Sequence, residues 1–233
     1  DIFAGGEAGG SKSFIGCLFD VTEALRLPGT AGGVFRNTSE NLRESTLVTY
    51  FEVCQKTHMQ ENVHWVFNET KGLLRWIGGS RTKFDYLKYE ARDPNYTRLG
   101  GRQYTRAFVD EADGVEKGAI GILEVRLRYK LKQYCHLCGA PNMANLSTPV
   151  DCDEKTGIPI QWTCYRCSEW TKGLMPKLLC TGNPGDYWTK DRYVYGDDGK
   201  RLILPPHRKY VHLPLEENPD EQFRTSYREQ LEK

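Results

Sequence analysis

Lys12-Ser13 closes a glycine-rich stretch reading GGEAGGSKS, which runs from Gly5 to Ser13. Gly6, Gly9 and Gly10 permit backbone angles and close approaches that side chains would block. Loop amides and the amino end of a following helix then converge on phosphate oxygens. Lys12 would reach the β and γ phosphates of a nucleotide, and the Ser13 hydroxyl would ligate Mg²⁺. The spacing approaches G-x-x-x-x-G-K-[ST], with Ser11 where the last glycine is expected. On its own the stretch also reads as a flexible Gly/Ser loop.

Asp110-Glu111 ends a strand-forming run, Ala107-Phe108-Val109, and Ala112-Asp113-Gly114 breaks that strand. Beside a phosphate-cradling loop, Asp110 would hold Mg²⁺ through its water shell. Glu111 would orient and deprotonate an attacking water. Alone, the pair also reads as a turn with solvated charges. Thr181 and Asn183 follow the strand Lys177–Cys180, where open α/β sheets place their ligands. The alternative there is a plain Asn-Pro-Gly turn.

The elements that must position these residues alternate between strand and helix, which indicates an α/β class. Ile2-Phe3-Ala4 is a strand leading into the loop. Phe14, Ile15, Leu18, Val21 and Leu25 recur at helical spacing after it, and Pro28-Gly29 ends the helix. Gly33–Arg36 is a strand, and Asn37-Thr38-Ser39 caps a helix reaching about Gln55. Val63–Phe67 and Leu73–Ile77 form two strands about a turn at Gly72, and Tyr86–Tyr104 is polar and loop-like. Val115–Arg128 is a helix with Ile120, Leu123 and Leu127 on one face. A hairpin signal at Asp197-Asp198-Gly199, a strand around Tyr210–Leu213 and a charged helix from about Asp220 complete the chain.

With 233 residues the chain can bury a substantial core, as one α/β domain with a small insert. A net charge of +1 creates no global field for nucleic acid, so any such grip must be local. No apolar run is long enough to span a membrane, and no signal-peptide pattern is visible. The chain begins without methionine inside a core strand and stops in a charged, helix-like stretch, so it reads as a fragment of something longer.

Of eight cysteines, Cys17, Cys54 and Cys180 stand singly in apolar settings and read as buried thiols. The others fall between Cys135 and Cys167, four of them as Cys-x-x-Cys pairs, a metal pattern of a reducing compartment. Cys135, Cys138, Cys164 and Cys167 would complete a tetrahedral Cys₄ zinc site with no open position for catalysis. Cys152 or His136 could replace a ligand, and redox pairs are the rival reading. The insert, 129–172, interleaves Lys130, Lys132, Lys155, Arg166 and Lys172 with aromatics. That surface suits DNA phosphates or a protein partner, or is a metal-stabilised excursion with solvated lysines.

The ordered set of motifs resembles the ATPase domain of the large terminase subunit, the DNA-packaging motor of tailed phages. GGEAGGSKS resembles that family's divergent Walker A segment. Phe35-Arg36-Asn37-Thr38 with Leu42-Arg43-Glu44-Ser45 resembles the strand–helix segment after it. Gly101 through Asp110-Glu111-Ala112 resembles the loop and Walker B strand, and Leu123–Arg128 the arginine-containing helix end. Thr181–Gly185 with Trp188 and Lys190 resembles the coupling motif, and Leu215–Pro219 the segment beyond. The resemblance implies a RecA/ASCE-like P-loop NTPase fold, a mostly parallel sheet flanked by helices. That ATPase domain would span 1–128 and 173–233.

It also implies Mg-dependent ATP hydrolysis that drives double-stranded DNA into a procapsid, in the host cell cytoplasm. The partners implied are the portal protein and the small terminase subunit, with the chain in a ring, a pentamer, on the portal. Residue by residue, Gly6, Gly9, Gly10, Ser11, Lys12 and Ser13 bind nucleotide, and Ser13 and Asp110 hold Mg²⁺. Glu111 activates water, and Thr181 and Asn183 sense the γ-phosphate. The family's C-terminal nuclease is not assignable to this chain.

Three departures stand out. Glu7-Ala8 occupy the region where many such loops carry an arginine, Ser11 replaces glycine, and the zinc insert is outside the common pattern. Transition-state charge still needs a cation, and Arg126 and Arg128 are candidates for a finger given to a neighbouring subunit. For either one, a helix-end charge is the plainer alternative. Two other functions fit the same motifs: a zinc-ribbon helicase or repair ATPase, and a nucleotide-gated zinc module that binds ATP without turnover.

Overall fold

The computed structural model describes residues 1–6, 11–127, 177–183, 188–195, 200–205 and 208–213, and the backbone of five short strands between 133 and 172. In chain order come β1 (Ile2–Gly6), α1 (Lys12–Arg26), β2 (Ala31–Arg36), α2 (Ser39–Asn41), a π-helical turn (Leu42–Thr46) and α3 (Leu47–Lys56). The hairpin β3 (Trp65–Asn68) and β4 (Leu73–Trp76) leads to β5 (Arg81–Tyr86), β6 (Arg106–Val109) and α4 (Lys117–Arg126). The small strands are β7 (Gln133–Tyr134), β8 (Pro141–Asn142), β9 (Thr148–Cys152), β10 (Pro159–Thr163) and β11 (Trp170–Lys172). The chain then returns through β12 (Lys177–Gly182), α5 (Trp188–Tyr193) and β13 (Lys209–Leu213).

The main sheet has eight strands in the order β13-β1-β12-β6-β2-β5-β4-β3. All neighbours from β13 through β5 are parallel, and only the β4 and β3 edge runs antiparallel. Central strands of such a sheet are covered on both faces, so they read as continuous apolar runs. Accordingly β6 is buried at every position, and β1 and β12 at all but their first. One apolar cluster, with Phe3, Phe35, Val109, Ile120 and Leu123, fills one face of the sheet. Another, with Cys17, Val21, Val34, Tyr50, Phe84 and Phe108, lies under α1 and α3 on the other face. This is the mostly parallel α/β fold expected from the motifs.

Several details of the expected elements differ. The helix expected from Thr38 is capped there, the Thr38 hydroxyl accepting from the Asn41 amide at 3.2 Å, but the π turn interrupts it. β5 lies in a stretch where the sequence suggests no strand. Its alternation places Thr82 and Phe84 inward and Arg81 outward, so charge masks the apolar period. Cys17, Cys54 and Cys180 are buried free thiols, and burial pushes the Cys54 and Cys180 thiols up to about 12. No helix among the described residues is long and apolar enough to cross a membrane.

Strands β7 and β8 pair antiparallel and bracket Cys135 and Cys138 in the chain, and β10 and β11 bracket Cys164 and Cys167 in the same way. The four cysteines themselves lie outside the described residues, as do Asp197-Asp198-Gly199 and everything after Leu213.

Candidate active site

Parallel pairing brings the carboxyl ends of β1, β12, β6 and β2 to one edge of the sheet. Gly5 pairs with Gly182, and Val109 with both Cys180 and Phe35. The next residues along, Gly6, Asp110 and Arg36, therefore meet there with Thr181. At Gly6 a side chain is excluded: a Cβ would sit 2.0 Å from the Leu213 carbonyl oxygen of β13. At Gly182 a Cβ would meet the Asp113 carboxylate at 2.1 Å, so glycine lets the acidic turn close on β12.

Helix α1 starts at Lys12 with no side-chain cap and no acidic residue in its first turn. Helix amino ends of this kind favour anions. Ser11 precedes it in the left-handed region (φ 53°), the conformation that glycine adopts at little cost. The Lys12 ammonium donates to the Gly6 carbonyl at 3.1 Å, across the base of the loop. Gly9 and Gly10 lie outside the described residues.

Asp110 is the hub. Its Oδ1 accepts from the Ser13 hydroxyl at 2.8 Å and from the Thr181 hydroxyl at 2.9 Å. Its Oδ2 accepts from the Thr46 hydroxyl at 2.7 Å, and an Arg36 guanidinium nitrogen stands 3.8 Å away. The same guanidinium donates to Thr46 at 3.2 Å and reaches Glu111 Oε1 at 2.5 Å. Asp110 and Arg36 are buried, whereas the Glu111 side chain is 57% exposed and so open to solvent or a ligand. Glu111 also sits at positive φ (49°). Arg36 Nε is buried with no partner among the described residues.

The Asp113 carboxylate accepts from the Asn183 amide at 3.2 Å, tying the strand β12 to the acidic turn. Burial raises the Asp113 carboxyl above its ordinary value; the Glu111 charge adds to that, while backbone hydrogen bonds and Lys12 oppose it.

Ser13, Asp110, Thr181 and Glu111 are thus brought together from three distant stretches, with Lys12, Ser11, Gly6 and Asn183 around them. Arg126 is not. Its carbonyl accepts the Tyr104 amide, six residues and so roughly 20 Å of extended chain before Asp110. Arg128 lies outside the described residues. Arg36, Thr46 and Asp113 carry the cluster too, and residue spacing alone does not pick them as site residues. The one signal for Arg36 is a charge ending an otherwise apolar strand, GGVFR; Thr46 is aimed inward by the π turn, a feature often found at functional sites.

A parallel sheet in which β12 separates β1 from the acidic strand β6, all ending at one oxygen-rich cluster, is the arrangement expected of the P-loop NTPase fold. Among solved structures, the large terminase from a thermophilic bacteriophage aligns with 97% of this chain and 44% of its own, at TM-score 0.59 and 13% identity. The same protein in complex with ATP-gamma-S gives a TM-score of 0.58 at 13% identity, over 97% of this chain and 43% of that one. The large-terminase ATPase domain of Thermus phage P74-26 aligns with 99% of this chain and 79% of its own, at TM-score 0.50 and 12% identity. The chain therefore has the fold of large-terminase ATPase domains and spans less than half the length of the first of these proteins. No protein-family model and no curated protein sequence matches the chain.

Proposed function

We propose that this chain is the ATP-hydrolysing motor domain of a viral DNA-packaging machine. The reading rests above all on the Asp110 carboxylate, which receives hydroxyls from the start of α1, from β12 and from the π turn, with Glu111 beside it. Large terminases of this fold have been solved with ADP and with ATP-gamma-S, which supports nucleotide as the ligand. Lys12 and the first amides of α1 would hold its phosphates. Ser13 and Asp110 form an all-oxygen donor set, which suits a hard cation such as Mg²⁺. That ion, when bound, supplies neutralising charge to the phosphates.

Glu111, exposed and held by Arg36, would orient a water and take its proton. Thr181 and Asn183 would carry the state of the site to β12 and the acidic turn. Arg126, placed away from its own cluster, or Arg128 would serve a neighbour's nucleotide in a pentameric ring on the portal. Double-stranded DNA and the small terminase subunit are the further partners, in the host cell cytoplasm. For the insert we propose zinc at Cys135, Cys138, Cys164 and Cys167, supported by their spacing and by the strand pairs that bracket each Cys-x-x-Cys.

The test is ATP hydrolysis by the full-length protein with DNA and procapsids. Glu111→Gln is expected to keep ATP binding and to lose roughly 10²- to 10⁴-fold in turnover. Wild-type turnover in that variant removes Glu111 as the base. Wild-type protein without DNA- or procapsid-stimulated hydrolysis sinks the motor reading.

A further inference from the structure

Strand β5 alternates, and its two faces do different work. Thr82 points toward α1 and α3, donating to Asp20 at 2.6 Å. Arg81 and Lys83 therefore point to the opposite face, over β2 and β4. There a cavity of about 730 Å³ opens between β5, the β3–β4 turn and the Gly101–Tyr104 loop. Its described lining includes Lys71, Arg81, Lys83 and Arg102 and no acidic side chain. The volume falls within the range of small-ligand pockets.

At its wall stands Tyr104, 2% exposed, its ring set edge-on to Phe35 with centroids 5.5 Å apart. The Tyr104 hydroxyl is buried and makes no hydrogen bond of normal geometry, although the Arg102 guanidinium is close by. A buried hydroxyl without a partner costs free energy unless something supplies one. The Lys83 ammonium donates to the Lys71 carbonyl at the cavity. Burial lowers that ammonium below the ordinary value and the Arg102 charge adds to this, with Asp85 opposing. Asp85 is itself engaged by Arg102, at 2.5 Å.

We propose that this cavity is a second anion site, which takes phosphate groups on Lys83, Arg102 and the Tyr104 hydroxyl. Several cations around one cavity call for a ligand with several negative charges, and guanidinium forks match phosphate oxygens. The chemistry is shared by the backbone of a nucleic acid and by a free polyphosphate. The site stands independently of the ATP chemistry at Asp110.

Two probes test it in a Lys12→Ala background, which removes the phosphate-loop contribution. They are inorganic pyrophosphate by calorimetry and a duplex of about 20 base pairs by anisotropy, between about 50 and 200 mM salt. Lys83→Gln with Arg102→Gln is expected to weaken at least one probe roughly tenfold. A weaker duplex with a salt slope reduced by about 2 assigns the site to nucleic-acid backbone; weakened pyrophosphate with an unchanged duplex assigns it to a free phosphate ligand. Tyr104→Phe is expected to weaken the same probe without lowering the melting temperature, because it deletes an unpartnered hydroxyl. If the double variant leaves both probes unchanged, the site is overturned. If that variant does not fold, Tyr104→Phe decides by the same criterion.

Discussion

Two aspartate–arginine clusters lie on the same sheet, and they are built to opposite rules. Asp20 of α1 and Arg106 of β6 are both buried; the Arg106 Nε reaches Asp20 Oδ1 at 2.6 Å. Asp20 Oδ2 accepts from the Tyr50 hydroxyl at 2.7 Å and the Thr82 hydroxyl at 2.6 Å. The other Arg106 nitrogens donate to Thr30 at 2.7 Å and Thr82 at 3.2 Å. Neither side chain is left with an unpartnered polar atom. Around Asp110 and Arg36 the accounting does not close. Arg36 Nε has no partner among the described residues, Arg36 Nη1 stands 3.8 Å from Asp110 Oδ2, and Glu111 faces outward. A fully satisfied buried network holds one geometry, whereas a partly satisfied one has capacity for a ligand. On the proposed function, the closed cluster is structural and the open one takes the ligand.

The largest effect that would break this contrast is in the closed cluster. Asp20→Asn removes the countercharge of a buried arginine, a change that typically costs 3–5 kcal/mol. Denaturant unfolding should show about that loss, while hydrolysis per folded molecule stays at wild type. A loss below about 1 kcal/mol, in the range of an exposed pair, would mean that Asp20–Arg106 is not a closed network.

Arg36→Gln probes the open cluster, where stability should change less than turnover. Arg36 touches Glu111, so with Glu111 as the proposed base it would act as a positioning residue. Its loss should lower turnover by on the order of 10² with the KM for ATP little changed, since general-base catalysis depends on geometry first. The conservative Arg36→Lys should recover part of that rate. A variant faster than wild type would reverse the role, making Arg36 a restraint that holds Glu111 away from water.

The contrast also marks how far the chain can be read from residue order. Gly6, Lys12-Ser13 and Asp110-Glu111 follow local patterns of strand, turn and helix, so the elements that carry them are legible. Thr181 is legible through its strand end. Neither arginine partnership is, because each depends on strand order. Asp20 and Arg106 are 86 residues apart, and Arg36 is separated from Asp110 by α2, α3, the β3–β4 hairpin, β5 and β6. They meet only because β12 inserts between β1 and β6 and β2 falls on the other side of β6. No local period encodes that insertion. β5 escapes for a different reason: Arg81 and Lys83 on its far face outweigh Thr82 and Phe84 on the near one.

The smallest expected effect sharpens the contrast at the backbone. Non-glycine residues at positive φ include Ser11 and Glu111, both beside the open cluster, and none of the residues of the closed one. An L-residue in the left-handed region costs about 1–2 kcal/mol, and glycine offsets that with an entropic cost of roughly 0.5–1 kcal/mol. Ser11→Gly should therefore stabilise the fold by about 0.5 kcal/mol in denaturant titration. The gain should appear without any change at Asp20–Arg106, since the closed cluster stores no such strain. A destabilised Ser11→Gly variant would mean that the Ser11 side chain contributes more at the mouth of the loop than its backbone strain costs. The serine in place of glycine would then be an active part of the open cluster.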